Sequence, residues 1–222
     1  MKRLTQEKTI EKIGARFPLA DFFGFDIVPY TSVVQFEADE RILREGTAPE
    51  YLYYLIDGSA KLSLSHENGR VSLINFLRAP AFIGEMELVG AQCRANEVTA
   101  MTVCTCYAIH TAGCREALLQ DAKFLRCLCR TLGRKACGNT YNYAQNQSYP
   151  LAVRLANFIL VTARDGCYRE KHTESSEFLG VTYRHFLYVL ADFVKEGLLK
   201  KTEGGYLITD PAGLRRVARR GK

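Results

Sequence analysis

Two hydrophobic rhythms divide the chain. From about residue 33 to 110, apolar residues fall in short β-branched and aromatic runs. These are Val33-Val34-Gln35-Phe36, Tyr51 to Ile56, Ala60 to Ser65, Val71 to Phe76, Val98 to Val103 and Cys104 to Ile109. Such runs predict strands. Turn-forming residues separate them at Glu45-Gly46, Asp57-Gly58, Glu67-Asn68-Gly69 and Ala79-Pro80. Asn68-Gly69 is a strong hairpin signal because both residues accept positive φ. The spacing predicts an antiparallel sandwich or roll.

From about Arg115 the rhythm turns helical. Leu125, Leu128, Leu132, Ala136 and Tyr143 recur at intervals of three, four and seven. A stripe of that length predicts a helix that pairs with a copy of itself. Packing on its own β-domain is the competing explanation. Gln147-Ser148-Tyr149-Pro150 ends the stripe. Helical periodicity resumes at Leu151, Leu155, Phe158 and Ile159, and a turn follows at Asp165-Gly166.

The segment His172 to Leu199 carries the clearest chemistry. Thr173 is expected to cap a short helix bearing Phe178 and Leu179, which stops at Gly180. Val181 supplies an apolar plug. Thr182 is expected to cap a second helix running to about residue 196, with Gly197 as its stop. That helix has two faces. Phe186, Leu187, Val189, Leu190, Phe193 and Val194 form an apolar stripe. Arg184, Tyr188 and Lys195 lie opposite, with Tyr183 and His185 near the start. A helix of this kind presents its first turn to base edges in a major groove. Arg184 suits bidentate contact with guanine. The Thr182 hydroxyl and nearby N–H groups suit a phosphate. Each side chain also has a plainer role: Tyr183 and His185 as packing, Arg184 as a solvated charge. Leu198 to Ile208 then reads as a two-stranded wing with a Gly204-Gly205 turn and backbone-contacting Lys200, Lys201 and Thr202.

Charge agrees with this placement. The net charge is +6, and residues 147–222 hold thirteen Lys and Arg against eight Asp and Glu, leaving the remainder near neutral. A basic C-terminal third points to a polyanionic partner or to a solvated basic tail, since RRVARRGK supplies much of it. The charged start MKRLTQEKTIEK has no apolar run behind it, so it does not read as a signal peptide. No stretch approaches the ~20 apolar residues of a membrane span, so a soluble, cytoplasmic protein is expected. No nucleophile-elbow, P-loop, HExxH or paired-carboxylate pattern suggests an enzyme.

The chain resembles the CRP/FNR family over nearly its whole length. The resemblance rests on Arg41-Ile-Leu-Arg-Glu-Gly46, Tyr51-Leu-Tyr-Tyr-Leu-Ile-Asp-Gly58, Phe82-Ile-Gly-Glu85, Phe178-Leu-Gly-Val-Thr-Tyr-Arg-His185 and the wing. Asn68-Gly-Arg-Val-Ser-Leu-Ile74, Gln145-Asn-Gln-Ser-Tyr-Pro150, Glu170-Lys-His-Thr173 and Tyr183-Arg-His-Phe-Leu-Tyr-Val-Leu190 look like its YeiL-like branch. The resemblance implies an α+β chain in three parts. Residues 1–114 would be a cyclic-nucleotide-binding-type β-roll (jelly roll) sensor, 115–146 a dimerisation helix, and 147–222 a winged helix-turn-helix. It implies operator binding to double-stranded DNA as a homodimer, with RNA polymerase as a further partner of an activator. Thr173, Thr182, Tyr183, Arg184, His185, Tyr188, Lys200 and Lys201 are the expected DNA-contacting residues.

In relatives that bind cAMP, a Gly-Glu pair holds the ribose and an Arg-Ser pair the phosphate. Here Gly84-Glu85 is present and Arg94 stands near the expected place, but Ala95 replaces the serine and the intervening loop is one residue shorter. The effector pocket is therefore expected at Gly84, Glu85, Arg94 and Ala95, with Asn139 and Thr140 as base partners, and cAMP is not expected to fill it. Glu85 and Arg94 pairing with each other is the structural alternative. The chain has 8 cysteines and none before Cys93, so the N-terminal iron–sulfur arrangement of FNR proteins is absent. Cys104 and Cys106 share one strand face and read as core or as a redox pair. Cys93, beside Arg94, is the candidate reactive thiol. A regulatory module that binds a cyclic nucleotide but no DNA, its C-terminal third contacting protein, is the competing functional class.

Overall fold

The structure is a computed structural model describing residues 1–5, 7–67, 69 and 71–219. Asn68, half of the expected hairpin turn, and Arg70 lie outside the described residues, as does the Tyr143 side chain of the helical stripe. The chain divides into two compact units, Met1–Ala136 and Cys137–Lys222.

The first unit opens with strand β1 (Lys2–Arg3), helix α1 (Glu7–Arg16) and strand β2 (Thr31–Phe36). Then come β3 (Arg41–Leu43), β4 (Tyr51–Asp57), β5 (Ser59–Ser65), β6 (Val71–Arg78) and β7 (Ala81–Ile83). A one-turn helix α2 (Glu85–Leu88) precedes β8 (Glu97–Ala100) and β9 (Cys104–His110). Two antiparallel sheets result, ordered β1-β2-β9-β4-β7 and β3-β8-β5-β6. Each run read from the sequence forms a strand here, although the run from Val98 to Val103 is extended only as far as Ala100. The short β1, β3 and β7 were not foreseen, because two or three residues carry no period.

Alternation along β2 and β9 explains why their runs look almost continuously apolar. Val34, Phe36, Cys104, Cys106 and Ala108 fill the core between the sheets. Val33, Tyr107 and Ile109 point to the other face, where Phe23, Ile27, Leu118, Phe124 and Leu128 cover them. Both faces of the sheet are dry, so both sets of alternate positions must be apolar.

The helical stretch expected from Arg115 is interrupted. Helix α3 (Arg115–Gln120) stops at Asp121, whose backbone is extended, and α4 (Ala122–Ser148) begins after it. Asp121 Oδ1 accepts from Lys123 N at 2.9 Å, and its Oδ2 accepts from Gly24 N at 2.6 Å. One carboxylate thus satisfies a free N–H of the new helix and ties down a loop 97 residues away. Helix α4 ends at Ser148, just before Pro150.

The second unit holds α5 (Leu151–Thr162), strand β10 (Cys167–Tyr168), α6 (His172–Phe178) and α7 (Tyr183–Lys195). Strands β11 (Leu199–Thr202) and β12 (Gly205–Ile208) and helix α8 (Pro211–Arg219) complete it. The wing is a three-stranded antiparallel sheet, β10-β12-β11, not a two-stranded one. The basic C-terminal run is largely an ordered helix. Asp210 Oδ1 accepts from Gly213 N at 2.8 Å, Leu214 and Ala218 are buried, and Arg215, Arg216 and Arg219 stay exposed.

Candidate nucleic-acid interface and sensor pocket

Helix α6 does not start as expected. Lys171 occupies its N-cap position without a side-chain cap bond, and Thr173 lies inside the first turn, exposed. Two serines secure the turn in place of a capping threonine. Ser175 Oγ donates to Lys171 O at 2.8 Å and accepts from Tyr168 OH at 2.7 Å; Ser176 Oγ donates to Thr173 O at 2.9 Å. Gly180, at φ +63°, turns the chain, and Val181 N then reaches back to Ser176 O at 3.0 Å.

Thr182 caps α7 as expected, its Oγ1 accepting from His185 N at 3.3 Å. The apolar stripe is where the pattern put it: Phe186, Val189, Leu190 and Phe193 are buried, Leu187 and Val194 partly so. Tyr183, Arg184, His185, Tyr188 and Lys195 are exposed on the outside of the helix. Tyr188 leaves 66% of its surface in solvent and Tyr183 48%, a large uncovered apolar area for one helix face. Lys200 and Lys201 are exposed on β11, opposite Leu207 and Tyr206 of β12.

An aromatic cluster fastens wing to helices. His172 lies 5.5 Å from the Phe186 ring, 5.6 Å from Tyr206 and 6.4 Å from Tyr168, stacked on the last. Burial, helped by the Lys201 charge, holds the His172 ring below its ordinary pKa and favours the neutral form. His172, which sequence reasoning passed over, thus packs between α6, α7 and the wing.

Gly84 and Glu85 adjoin a small cavity in the first unit. Gly84 sits at φ +89°, and a Cβ there would crowd Tyr51 O at 3.1 Å. Glu85 begins α2 and is 4% exposed. Its carboxylate does not pair with Arg94. Lys135 of α4 takes it instead, Nζ donating to Glu85 Oε1 at 2.6 Å and to Phe82 O at 3.0 Å. Arg94 is exposed and donates to Gly46 O at 3.2 Å. Ala95 is buried, its N–H donating to Thr47 O at 2.9 Å. The cavity measures about 70 Å³ and is lined by Leu43, Leu62, Gly84, Glu85, Glu87 and Lys135 among others. Burial, with Glu85 nearby, pushes the Glu87 carboxyl above its usual range. Asn139 and Thr140 are exposed positions of α4. Lys135 was missed, yet a signal existed: Phe124, Leu128, Thr131 and Lys135 share one helix face at spacings of three and four.

Cys104 and Cys106 are buried in the inter-sheet core as free thiols, and Cys93 is exposed. Burial pushes the Cys104 and Cys106 thiols well up. No group of three or more His, Cys, Asp or Glu side chains is placed to hold a metal among the described residues. None of their helices is long and apolar enough to cross a membrane.

Residues 33–121 match the cyclic nucleotide-binding domain family, and residues 153–217 match the Crp-like helix-turn-helix domain. The regulatory protein YeiL of Escherichia coli O157:H7 is 47% identical over 188 residues, 85% of this chain and 86% of that protein. A solved CRP/FNR-family transcriptional regulator from Thermus thermophilus superposes with a TM-score of 0.71 at 20% identity, covering 86% of this chain and 100% of that one. A CRP-family regulator from the same organism gives a TM-score of 0.66 at 23% identity, covering 83% and 96%. At those identities the two structures speak to the fold alone.

Proposed function

The chain belongs to the CRP/FNR family of transcriptional regulators, and from that premise we propose that it binds operator DNA as a homodimer through α7 and the wing. The observation that carries this reading is the split of α7. Its inner face is sealed in the core, while Arg184, His185, Tyr188 and the capping Thr182 stand outside, beside Lys200 and Lys201. Arg184 reads a guanine edge, and Tyr183, His185 and Tyr188 contact neighbouring groups in the groove. Thr182, Lys200 and Lys201 hold sugar-phosphate oxygens, and Thr173 approaches the backbone from α6. The boundaries 1–114, 115–146 and 147–222 give the working division into sensor, dimerisation helix and DNA-binding domain. Leu125, Leu128 and Leu132 of the stripe pack on the first unit's own core, and it is the exposure of Cys129 and Ala136 along α4 that supports self-pairing of that helix. The dimer works in the cytoplasm, with RNA polymerase as a further partner if it activates.

The sensor half is read as responding to an effector other than cAMP. Ala95 has no hydroxyl for a phosphate, and Glu85 is engaged by Lys135.

The test is fluorescence anisotropy with random duplex DNA at two salt concentrations, alongside the oligomeric state by light scattering. Salt-dependent binding by a dimer is expected, because Lys and Arg on phosphates release counterions. Binding absent at both salts, or carried by a monomer, sinks the reading. Millimolar cAMP is expected to leave the affinity unchanged.

A further inference from the structure

A second cavity lies in the first unit, along α4. Its volume is about 460 Å³, within the range of small-molecule sites. Helix α4 lines one side with Lys123, Arg126, Arg130 and Arg134, and Phe22, Pro80 and Phe82 contribute to an apolar floor. On a helical wheel these cations fall within roughly 80° of one another. Leu125, Cys129, Leu132 and Ala136 fall on the other flank, roughly 130° away. Self-pairing of α4 through Cys129 and Ala136 would therefore leave the cationic flank open.

The cations are not consumed by structure. Lys123 Nζ donates to Ala20 O, and Arg126 Nε donates to Ala122 O at 3.1 Å. Arg130 and Arg134 are exposed and make no ion pair among the described residues. Asp21 is the acidic residue of the rim. Arg126, Arg130 and Arg134 repeat at i, i+4, where like charges repel, so the helix carries this stripe at a cost. Guanidinium groups match phosphate oxygens in a bidentate manner. Their Cα atoms step about 6 Å along the helix, which one phosphate cannot bridge and a chain of phosphates can. The floor beside them is aromatic: Phe22 and Tyr54 rings lie 4.7 Å apart, and Tyr54 and Phe82 rings 4.8 Å. Phe22 is the partly exposed member.

We propose that this groove binds a nucleoside di- or triphosphate, its phosphates held by Arg126, Arg130 and Arg134 and its base laid against Phe22 and Pro80. The site shares the Phe82 wall with the cavity at Gly84 and Glu85 but uses a different set of charged residues, and it does not depend on DNA binding.

Isothermal titration of the full-length protein, without DNA, tests it. ATP, tripolyphosphate and adenosine are the probes, at near-physiological salt. The variants are Arg130→Gln with Arg134→Gln in the groove, Arg130→Lys with Arg134→Lys as a charge-keeping rescue, and Lys200→Gln with Lys201→Gln in the wing as a control. ATP is expected to bind the wild type and the wing variant equally. The glutamine pair in the groove should weaken ATP at least tenfold, and the lysine pair should restore part of that loss. Adenosine should bind too weakly to register, and tripolyphosphate more weakly than ATP. Absence of ATP binding by the wild type overturns the proposal. So does an equal loss in groove and wing variants, which would mean delocalised charge. Tripolyphosphate matching ATP overturns the role given to the aromatic floor.

Discussion

Lys135 of α4 reaches Glu85 at the start of α2, Nζ to Oε1 at 2.6 Å, and the same ammonium takes Phe82 O at 3.0 Å. The carboxylate that the family resemblance assigns to a ribose is thus held by the protein's own long helix. Glu85 is nearly buried, so losing its partner leaves a charge without compensation. Lys135→Met is expected to destabilise the protein by about 1–3 kcal/mol, the usual cost of a buried group left unsatisfied. Adding Glu85→Gln should recover most of that loss, because both partners are then neutral. Urea unfolding followed by circular dichroism measures all three. Additive losses in the double variant would mean that the pair contributes nothing as a pair.

How far the fold could be read in advance depended on how many residues each element offers. The strands β2, β4, β5, β6, β8 and β9 and the two faces of α7 follow from periodicity alone. The break at Asp121 does not, because one capping carboxylate acts through a contact with Gly24, far away in sequence. Thr173 failed as a cap because Ser175, fixed by the buried Tyr168 hydroxyl, and Ser176 hold the first turn from inside the helix. The alternative pairing of Glu85 with Arg94 was local in sequence, and Lys135, fifty residues on, takes the carboxylate instead. Short-range chemistry is legible; the partner that wins a competition through space is not.

Arg184 and Lys201 should fail differently in a DNA assay. Arg184→Ala removes a group suited to a guanine edge and is expected to cost about 1–3 kcal/mol at one base position, relaxing specificity there. Lys201→Ala removes a backbone contact, so binding should weaken uniformly across sequences, with a shallower salt dependence. Competition binding against a library of operator point variants separates these outcomes. An equal, sequence-independent loss for both would place the recognition face elsewhere.

The cysteines should sort by exposure when the native protein meets a maleimide at neutral pH. Cys104, Cys106 and Cys114 are buried, and burial raises each thiol, so little reactive thiolate forms. Cys93, Cys129 and Cys137 are exposed. Peptide mass spectrometry is expected to find label on Cys93, which lies outside α4, within minutes and on the buried set only after denaturation. Prompt native labelling of Cys104 or Cys106 would revive the redox role considered for that strand.

His172 gives the DNA-binding unit a pH dependence whose sign is set by its surroundings. Burial among Tyr168, Phe186 and Tyr206, then the nearby Lys201 charge, depresses the folded-state pKa below the ordinary 6.5. The unfolded chain therefore binds this proton first as pH falls. The contribution is present in full above about pH 6.5, declines as pH drops through that value, and is lost by the folded-state pKa. His172→Phe keeps a ring in the cluster and removes the proton site. Urea midpoints at pH 7.5 and pH 5.5 are expected to shift in the variant's favour at the lower pH, relative to wild type. A difference between the two proteins that stays constant across that interval would show that His172 is not titrating against folding.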